Sequence, residues 1–212
     1  MRTWPHRFSP ADLVGGHVVL DLVNTVTGRD GDAVDWLESY SGVLEWAGAT
    51  AQFDVRVLAE LDRINKGDPA AGTLALGRLR ELREAIHDVL AIAIQDGNAP
   101  ERTLRRLEAR WKEAVIHAHL TISDHQTRLQ LSVESSKLDY LHHELALRAV
   151  DLLRTLSRAR TRVCANAECG WLFIDRSKGG QRRWCDMATC GNAEKSRRHR
   201  ERKRTAMQRN AR

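Results

Sequence analysis

The sequence predicts a mainly helical body carrying one β-hairpin, followed by a small cysteine-organised module that runs into a basic helix. Three observations predict it. Apolar residues recur at helical intervals over much of residues 36–156, they alternate on either side of a polar stretch at residues 123–128, and all four cysteines fall between 164 and 190. A chain of 212 residues is long enough for one medium domain and one small one.

The elements follow in order. Gly15 and Gly16 precede His17-Val-Val-Leu-Asp21-Leu-Val-Asn24-Thr25, an apolar stretch whose periodicity does not settle helix or strand. Gly28, Asp30, Gly31 and Asp32 form a loop. Trp36, Leu37, Tyr40, Val43, Leu44 and Trp46 then mark a short helix, and Val55, Val57, Leu58 and Leu61 a second, which the Asn65-Lys-Gly-Asp-Pro69 cluster ends. Leu79, Leu82, Ile86, Val89, Leu90 and Ala93 form one stripe of a long helix stopped by Asp96-Gly97-Asn98. After Pro100 the stripe resumes at Leu104, Leu107, Trp111, Ala114 and Val115. Leu120 and Ile122, then Leu129, Leu131 and Val133, alternate around Ser123–Arg128 and read as a β-hairpin. Ser136-Lys-Leu-Asp139 has the pattern of a capping box opening a helix whose core positions are Leu138, Leu141, Leu145, Leu152 and Leu156. A boundary near Ser157–Arg162 divides the chain into a body, 1–157, and a module, 158–212.

Charge divides at the same place. Residues 160–212 hold 15 Lys or Arg against 5 Asp or Glu, a net +10, whereas the whole chain is only +6, so the rest sums to −4. A mildly acidic body with a strongly basic tail is the asymmetry of a segment that meets a polyanion. The apolar runs are far too short for a membrane span, and Trp4, Pro5 and His6 stand where a signal peptide would carry its apolar stretch. A cytoplasmic protein without a membrane partner is expected.

In a reducing compartment, four clustered cysteines point to a metal before disulfides. The spacing Cys164-x4-Cys169-x15-Cys185-x4-Cys190 gives two pairs with room for a short hairpin between them. Two such pairs supply the tetrahedral thiolates that Zn²⁺ favours, one ion per chain, with iron the alternative. So small a module folds largely on its metal, at about 10 kcal/mol. Beyond Asn192 the run Glu194-Lys195-Ser-Arg197-Arg198-His199-Arg200-Glu201-Arg202-Lys203-Arg204 has no helix breaker and almost no apolar residue. A helix with nothing to bury gains from a partner. Phosphates fit, so Arg182, Arg183, Lys195, Arg197, Arg198, Arg200, Arg202, Lys203 and Arg204 are the candidate nucleic-acid contacts, with DNA the expected partner and RNA the alternative.

The cysteine segment with Arg182-Arg183-Trp184 before the third cysteine and Gly191-Asn192 after the fourth resembles the CGNR zinc finger. The upstream Gly15-Gly16-His-Val-Val-Leu20-Asp21-Leu-Val-Asn24-Thr25 and the stretch from Asp35 to Ala47 are similar to the ABATE domain that precedes this finger in bacterial stress-responsive transcription regulators. The resemblance implies a DNA-binding regulator whose finger, treble-clef-like, follows a sensor or dimerisation domain; a small-molecule effector and a homodimer belong to that expectation. One residue departs. The signature's last position is Arg, and here it is Ala193, so any contact made from that Arg is absent, with Lys195, Arg197 and Arg198 close by.

Other signals are weaker. Asp21, Asn24 and Thr25 either line a small-molecule pocket or hydrogen-bond local backbone. His142-His143-Glu144 lacks the second His that a zinc protease requires, since position 147 is Leu, and His117, His119 and His125 are accounted for by strand and loop positions. No paired acid and base or activated nucleophile marks an enzyme. Two further readings of the same residues are a small-molecule-binding protein or enzyme at Asp21 and Asn24 with a purely structural zinc module, and a zinc-stabilised protein-interaction module.

Overall fold

The structure is a computed structural model. It describes all residues except 1, 30, 96, 97, 124, 125, 167, 211 and 212, and leaves aside the side chains of 123, 126 and 204–210. Asp30, the Asp96-Gly97 part of the expected turn, His125 and the Arg204 side chain therefore lie outside the described residues. The fold is mostly helical with small β elements. Among the described residues no helix is long and apolar enough to cross a membrane.

The chain opens with β1 (Arg2–Thr3) and a single turn at Pro10–Asp12, then α1 (Val18–Val23), β2 (Val26–Thr27) and β3 (Val34–Asp35). The strands form a small sheet in the order β1-β3-β2, with β1 parallel and β2 antiparallel to β3. All six residues of α1 are buried. A helix covered on every side shows no amphipathic period, which is why the pattern there does not decide between helix and strand.

Helix α2 (Tyr40–Thr50) starts four residues later than the Trp36 stripe suggested, because Ser39 accepts from the Gly42 N–H and caps it there. Helix α3 (Val55–Gly67) ends at the expected cluster, but that cluster is no loop. Asp68 caps Ala71 N–H, Pro69 occupies the first turn where its missing N–H costs nothing, and α4 (Pro69–Ile94) begins at once. Helices α4, α5 (Glu101–His117) and α7 (Tyr140–Thr155) pack against one another. Their stripes, Leu79, Leu82, Ile86 and Leu90 with Leu107 and Ala114 and with Leu141 and Leu145, join Leu20, Leu22, Val43, Trp46 and Leu61 in one core.

The body's hairpin is β4 (His119–Ser123) with β5 (Gln126–Gln130), register Leu120 to Leu129. The expected second strand ran to Val133, which the structure corrects. Leu131 turns into the core and Ser132 caps a short helix, α6 (Val133–Ser136). The Ser136–Asp139 capping box is also corrected, since neither side chain caps α7. Lys137 breaks the helix with φ of +49°, Ser136 Oγ bonds His143 Nδ1 at 3.0 Å, and Asp139 accepts two hydrogen bonds of 2.7 Å from Arg78.

Two clusters in this body are buried and polar. Arg83, fully buried, donates to both Asp35 oxygens at 2.7 Å and to Thr25 Oγ1 at 3.0 Å, tying α4 to the small sheet. The other is a stack of histidines. The His117 ring lies 4.4 Å from that of His143, and the ring of His142 meets His143 edge-on at 5.5 Å. Burial lowers the His143 pKa to about 4, with His142 and His117 adding in the same direction, and burial also lowers that of His142, against Glu113 with its carboxylate 3.9 Å away. An unfolded histidine titrates near 6.5, so the unfolded chain binds more protons between pH 6.5 and 4. Stability from the neutral His142 and His143 rings is present above that window and lost as pH falls through it. Urea midpoints are expected to drop across this range, and His143→Gln to flatten the drop; an unaltered slope in the variant counts against the assignment.

The module contributes β6 (Thr161–Val163), β7 (Leu172–Ile174), a wide helical turn at Met187–Gly191 and α8 (Asn192–Asn210). Strands β6 and β7 pair antiparallel, with Thr161 opposite Ile174. The hairpin therefore encloses the first cysteine pair, whereas the spacing suggested a hairpin between the two pairs. Arg182 and Arg183 consequently lie in the loop after β7.

Candidate metal centre and basic helix

Cys164 and Cys169 sit in the turn joining β6 to β7, Cys185 follows the loop, and Cys190 ends the turn that feeds α8. All four are buried and unbridged, and their sulfurs lie within 4.8 Å of one another. Cys169 Sγ is 3.7 Å and Cys190 Sγ 3.6 Å from Cys185 Sγ. Four thiolates about 2.3 Å from a tetrahedral zinc would stand about 3.8 Å apart. A disulfide would need about 2.0 Å, so the cluster has the dimensions of a metal site.

The chemistry of the donors agrees. Hydrogen bonds from the Cys169 and Cys185 thiols lower the pKa of Cys164, while the same contacts raise those of Cys169 and Cys185. One thiolate can be shared, but four cannot coexist in this volume without a cation. Two N–H groups already point at the sulfurs: Cys185 N to Cys164 Sγ and Asn166 Nδ2 to Cys190 Sγ, both 3.5 Å. Such outer donors orient ligands and stabilise their charge. Asn166 was missed in the sequence, where nothing separates it from an ordinary turn Asn.

Around the sulfurs packs a small core of Trp171 and Phe173, completed by Val14, Trp36 and Trp184. Trp36 belongs to the body; its ring meets Trp171 edge-on at 5.3 Å and stacks on His6 at 3.8 Å. The loop is held by Asp175, whose oxygens accept from Ser177 and Arg182 N–H at 2.9 and 2.8 Å; bonding from Ser177 leads in lowering its pKa to about 2. Arg182 lies over the Phe173 ring at 4.6 Å and donates to the carbonyls of Trp184 and Cys185. Its guanidinium is thus engaged within the module, whereas Arg183 is exposed beside the Trp184 ring.

Of Asp21, Asn24 and Thr25, Asn24 bonds the module directly, Asp21 holds the Gly15 turn that does so, and Thr25 stays within the body. Asn24 Nδ2 donates to Leu172 O and its Oδ1 accepts from Leu172 N–H, each at 2.9 Å, so its amide pairs with β7 as another strand would. Asp21 accepts from Gly15 N–H at 2.8 Å, and Gly15 O in turn accepts from Ile174 N–H at 2.9 Å. Burial pushes the Asp21 pKa up to about 6, against the opposing pull of that Gly15 bond. Thr25 donates to Leu22 O and receives Arg83. Gly28, at φ +67°, turns its N–H onto the carbonyl of the metal-site residue Cys169 at 3.1 Å. A side chain at that φ would be strained and would sit 3.4 Å from Asp32 O.

Asn24→Ala is expected to remove both bonds to Leu172 and weaken docking by about 1–3 kcal/mol. Hydrogen exchange at the Leu172 amide should accelerate. Unchanged protection there would show that Asn24 does not hold the strand.

Helix α8 starts directly from the cysteine turn. Gly191 is buried between Met187 and Trp184, and Asn192 Nδ2 donates to Ala188 O at 3.1 Å. Ala193 is exposed and lines, with Ala165, Asn166, Glu168, Arg197 and Arg200, a groove of about 460 Å³ between helix and first cysteine turn. Glu194 lies at the same end of the helix. Its side chain, 10% exposed, accepts from Arg197 Nε and a terminal nitrogen at 2.9 Å each and from Arg198 Nε at 2.7 Å. Arg197 also reaches Glu201 at 2.6 Å. The bonds from Arg197 and then Arg198 lower the Glu194 pKa to about 2. Lys195, Arg200, Arg202 and Lys203 are exposed and meet no acidic side chain among the described residues.

Two family models match the chain. One, ABATE, bears the description "Putative stress-induced transcription regulator" and covers residues 16–156; the other, the CGNR zinc finger, covers 160–203. No curated protein matches the chain.

Proposed function

The chain belongs to the ABATE family and ends in a CGNR zinc finger, and on that premise we propose that it is a zinc-dependent, DNA-binding transcription regulator. The observation that carries the reading is the attachment of a basic helix to a set of four thiols at metal-site spacing. Cys164, Cys169, Cys185 and Cys190 hold one Zn²⁺ per chain. With four protein ligands the site is closed, so the ion organises the module and leaves no open position for chemistry. The helix then presents its cations to phosphate, and the protein acts by binding rather than catalysis.

The body serves as the sensor. The residues flanking α1, Gly15, Asn24 and Gly28, touch the module at Ile174, Leu172 and Cys169, which supports a route from a small-molecule effector to the finger. Elemental analysis of purified protein is expected to give about one zinc per chain, with iron contradicting the metal assignment. Sequencing the nucleic acid that copurifies with the tagged protein tests the partner. Enrichment of discrete duplex DNA segments is expected; recovery of RNA alone would replace DNA by the alternative polyanion.

A further inference from the structure

The cations of α8 fall into two sets that the sequence alone runs together. At 100° per residue, Glu194, Arg197, Arg198 and Glu201 share about 100° of arc, and Lys195, His199, Arg202 and Lys203 another about 100° on the far side. The first set is ion-paired internally. Glu194 is largely buried and receives three guanidinium hydrogen bonds, and Arg197 bridges on to Glu201. Turning either arginine towards a phosphate would leave that carboxylate short of partners at the root of the helix, a cost that exposed single ion pairs do not carry. The second set is exposed, with no acidic neighbour among the described residues.

We infer that the Lys195–His199–Arg202–Lys203 stripe is the face that lies on DNA, and that Arg197 and Arg198 are positioning residues that clamp the helix start through Glu194. This rests on the DNA-binding reading and narrows it to one side of one helix. The stripe runs about 12 Å along the axis, two successive phosphates of one strand or the two walls of a groove being within its reach. Arg200 faces the groove beside the first cysteine turn, off this stripe. The clamp was detectable in principle, because an acid followed by Arg at i+3 and i+4 is a helical ion-pair pattern; what the sequence does not show is that the acid is buried.

Fluorescence anisotropy of a labelled mixed-sequence duplex over a salt series separates the two sets. Each phosphate contact adds about −0.9 to the slope of log affinity against log salt. The variant Lys195→Gln with Arg202→Gln and Lys203→Gln is expected to lose about 2–3 units of slope. Arg197→Gln with Arg198→Gln should lose well under one unit, and Glu194→Gln, which frees Arg198 beside the stripe while Arg197 keeps Glu201, should steepen the slope by up to about one. Zinc content and circular dichroism certify that each variant is folded, and Arg197→Lys with Arg198→Lys replaces the Gln pair if that pair does not fold. Equal losses in the stripe and clamp variants, or a Glu194→Gln slope equal to that of the parent, would overturn the assignment. A parent protein that fails to bind duplex DNA at low salt would overturn the functional reading itself, before any variant is compared.

Discussion

Chelation of the metal, or Cys185→Ser, is expected to unfold the module while most of the helical signal survives. Cys185 is the ligand with most to lose: it is 1% exposed and contacts two of the other three sulfurs within 3.7 Å. Among the described residues the module buries, besides its cysteines, only Trp171, Leu172 and Phe173 of its large apolar side chains. That is far below what a segment of this length needs to fold alone, so about 10 kcal/mol of metal binding is its main source of order. Helices α1 to α7 retain their own core. They will not be indifferent, however, because Leu172 packs in that core and the bonds to Asn24, Gly15 and Gly28 disappear with the module. The body should therefore melt earlier, by roughly 2–4 °C for each kcal/mol of docking lost. Far-ultraviolet circular dichroism showing loss of nearly all helix would mean that the body cannot stand without the module. An unchanged melting temperature would mean that docking contributes nothing.

The sequence made the helices and the metal ligands legible because each leaves a local signature. Leu79, Leu82, Ile86 and Leu90 repeat with the period of the face they bury, and the cysteine pairs carry their own spacing. Legibility ends where a residue's role depends on a partner far along the chain. Asn24 is read locally as a cap, and the structure joins it to a residue 148 positions away. Arg182 looks like any loop cation until Phe173 and the Cys185 carbonyl are seen around it. The Ser136–Asp139 pattern has the spacing of a cap, but Asp139 faces Arg78 on another helix, and tertiary pairing outweighs a local capping bond. The hairpin of the module escapes a sequence reading for a different reason, its strands being only three residues each. Strand pairing is set by what closes the turn, and here the cysteine pair itself closes it.

Asp35→Ala is expected to destabilise the body by about 3–5 kcal/mol, as much as truncating a large core side chain. Arg83 has no access to solvent, and both of its terminal nitrogens donate to the Asp35 carboxylate at 2.7 Å. Removing that acid leaves a buried guanidinium with Glu84, at 2.8 Å, and Thr25, at 3.0 Å, as its remaining partners. Asp35 also caps Leu37 N–H at 3.0 Å and lies 3.2 Å from Arg80, so three anchoring points of the small sheet fail together. Arg83→Met should cost less, since an apolar chain of similar length fills the space and the partly solvated Arg80 can still neutralise Asp35. In a double-mutant cycle by urea unfolding, the combined variant should therefore cost less than the sum of the single ones. The effect should also reach the metal. Thr25, which Arg83 holds, is adjacent to Asn24, which holds Leu172, so loosening the network should speed transfer of zinc to a chelator. Strict additivity in the cycle would show that Arg83 and Asp35 do not depend on each other. A destabilised Asp35→Ala protein with an unchanged rate of zinc transfer would confine the network to the body and break the proposed route from body to finger.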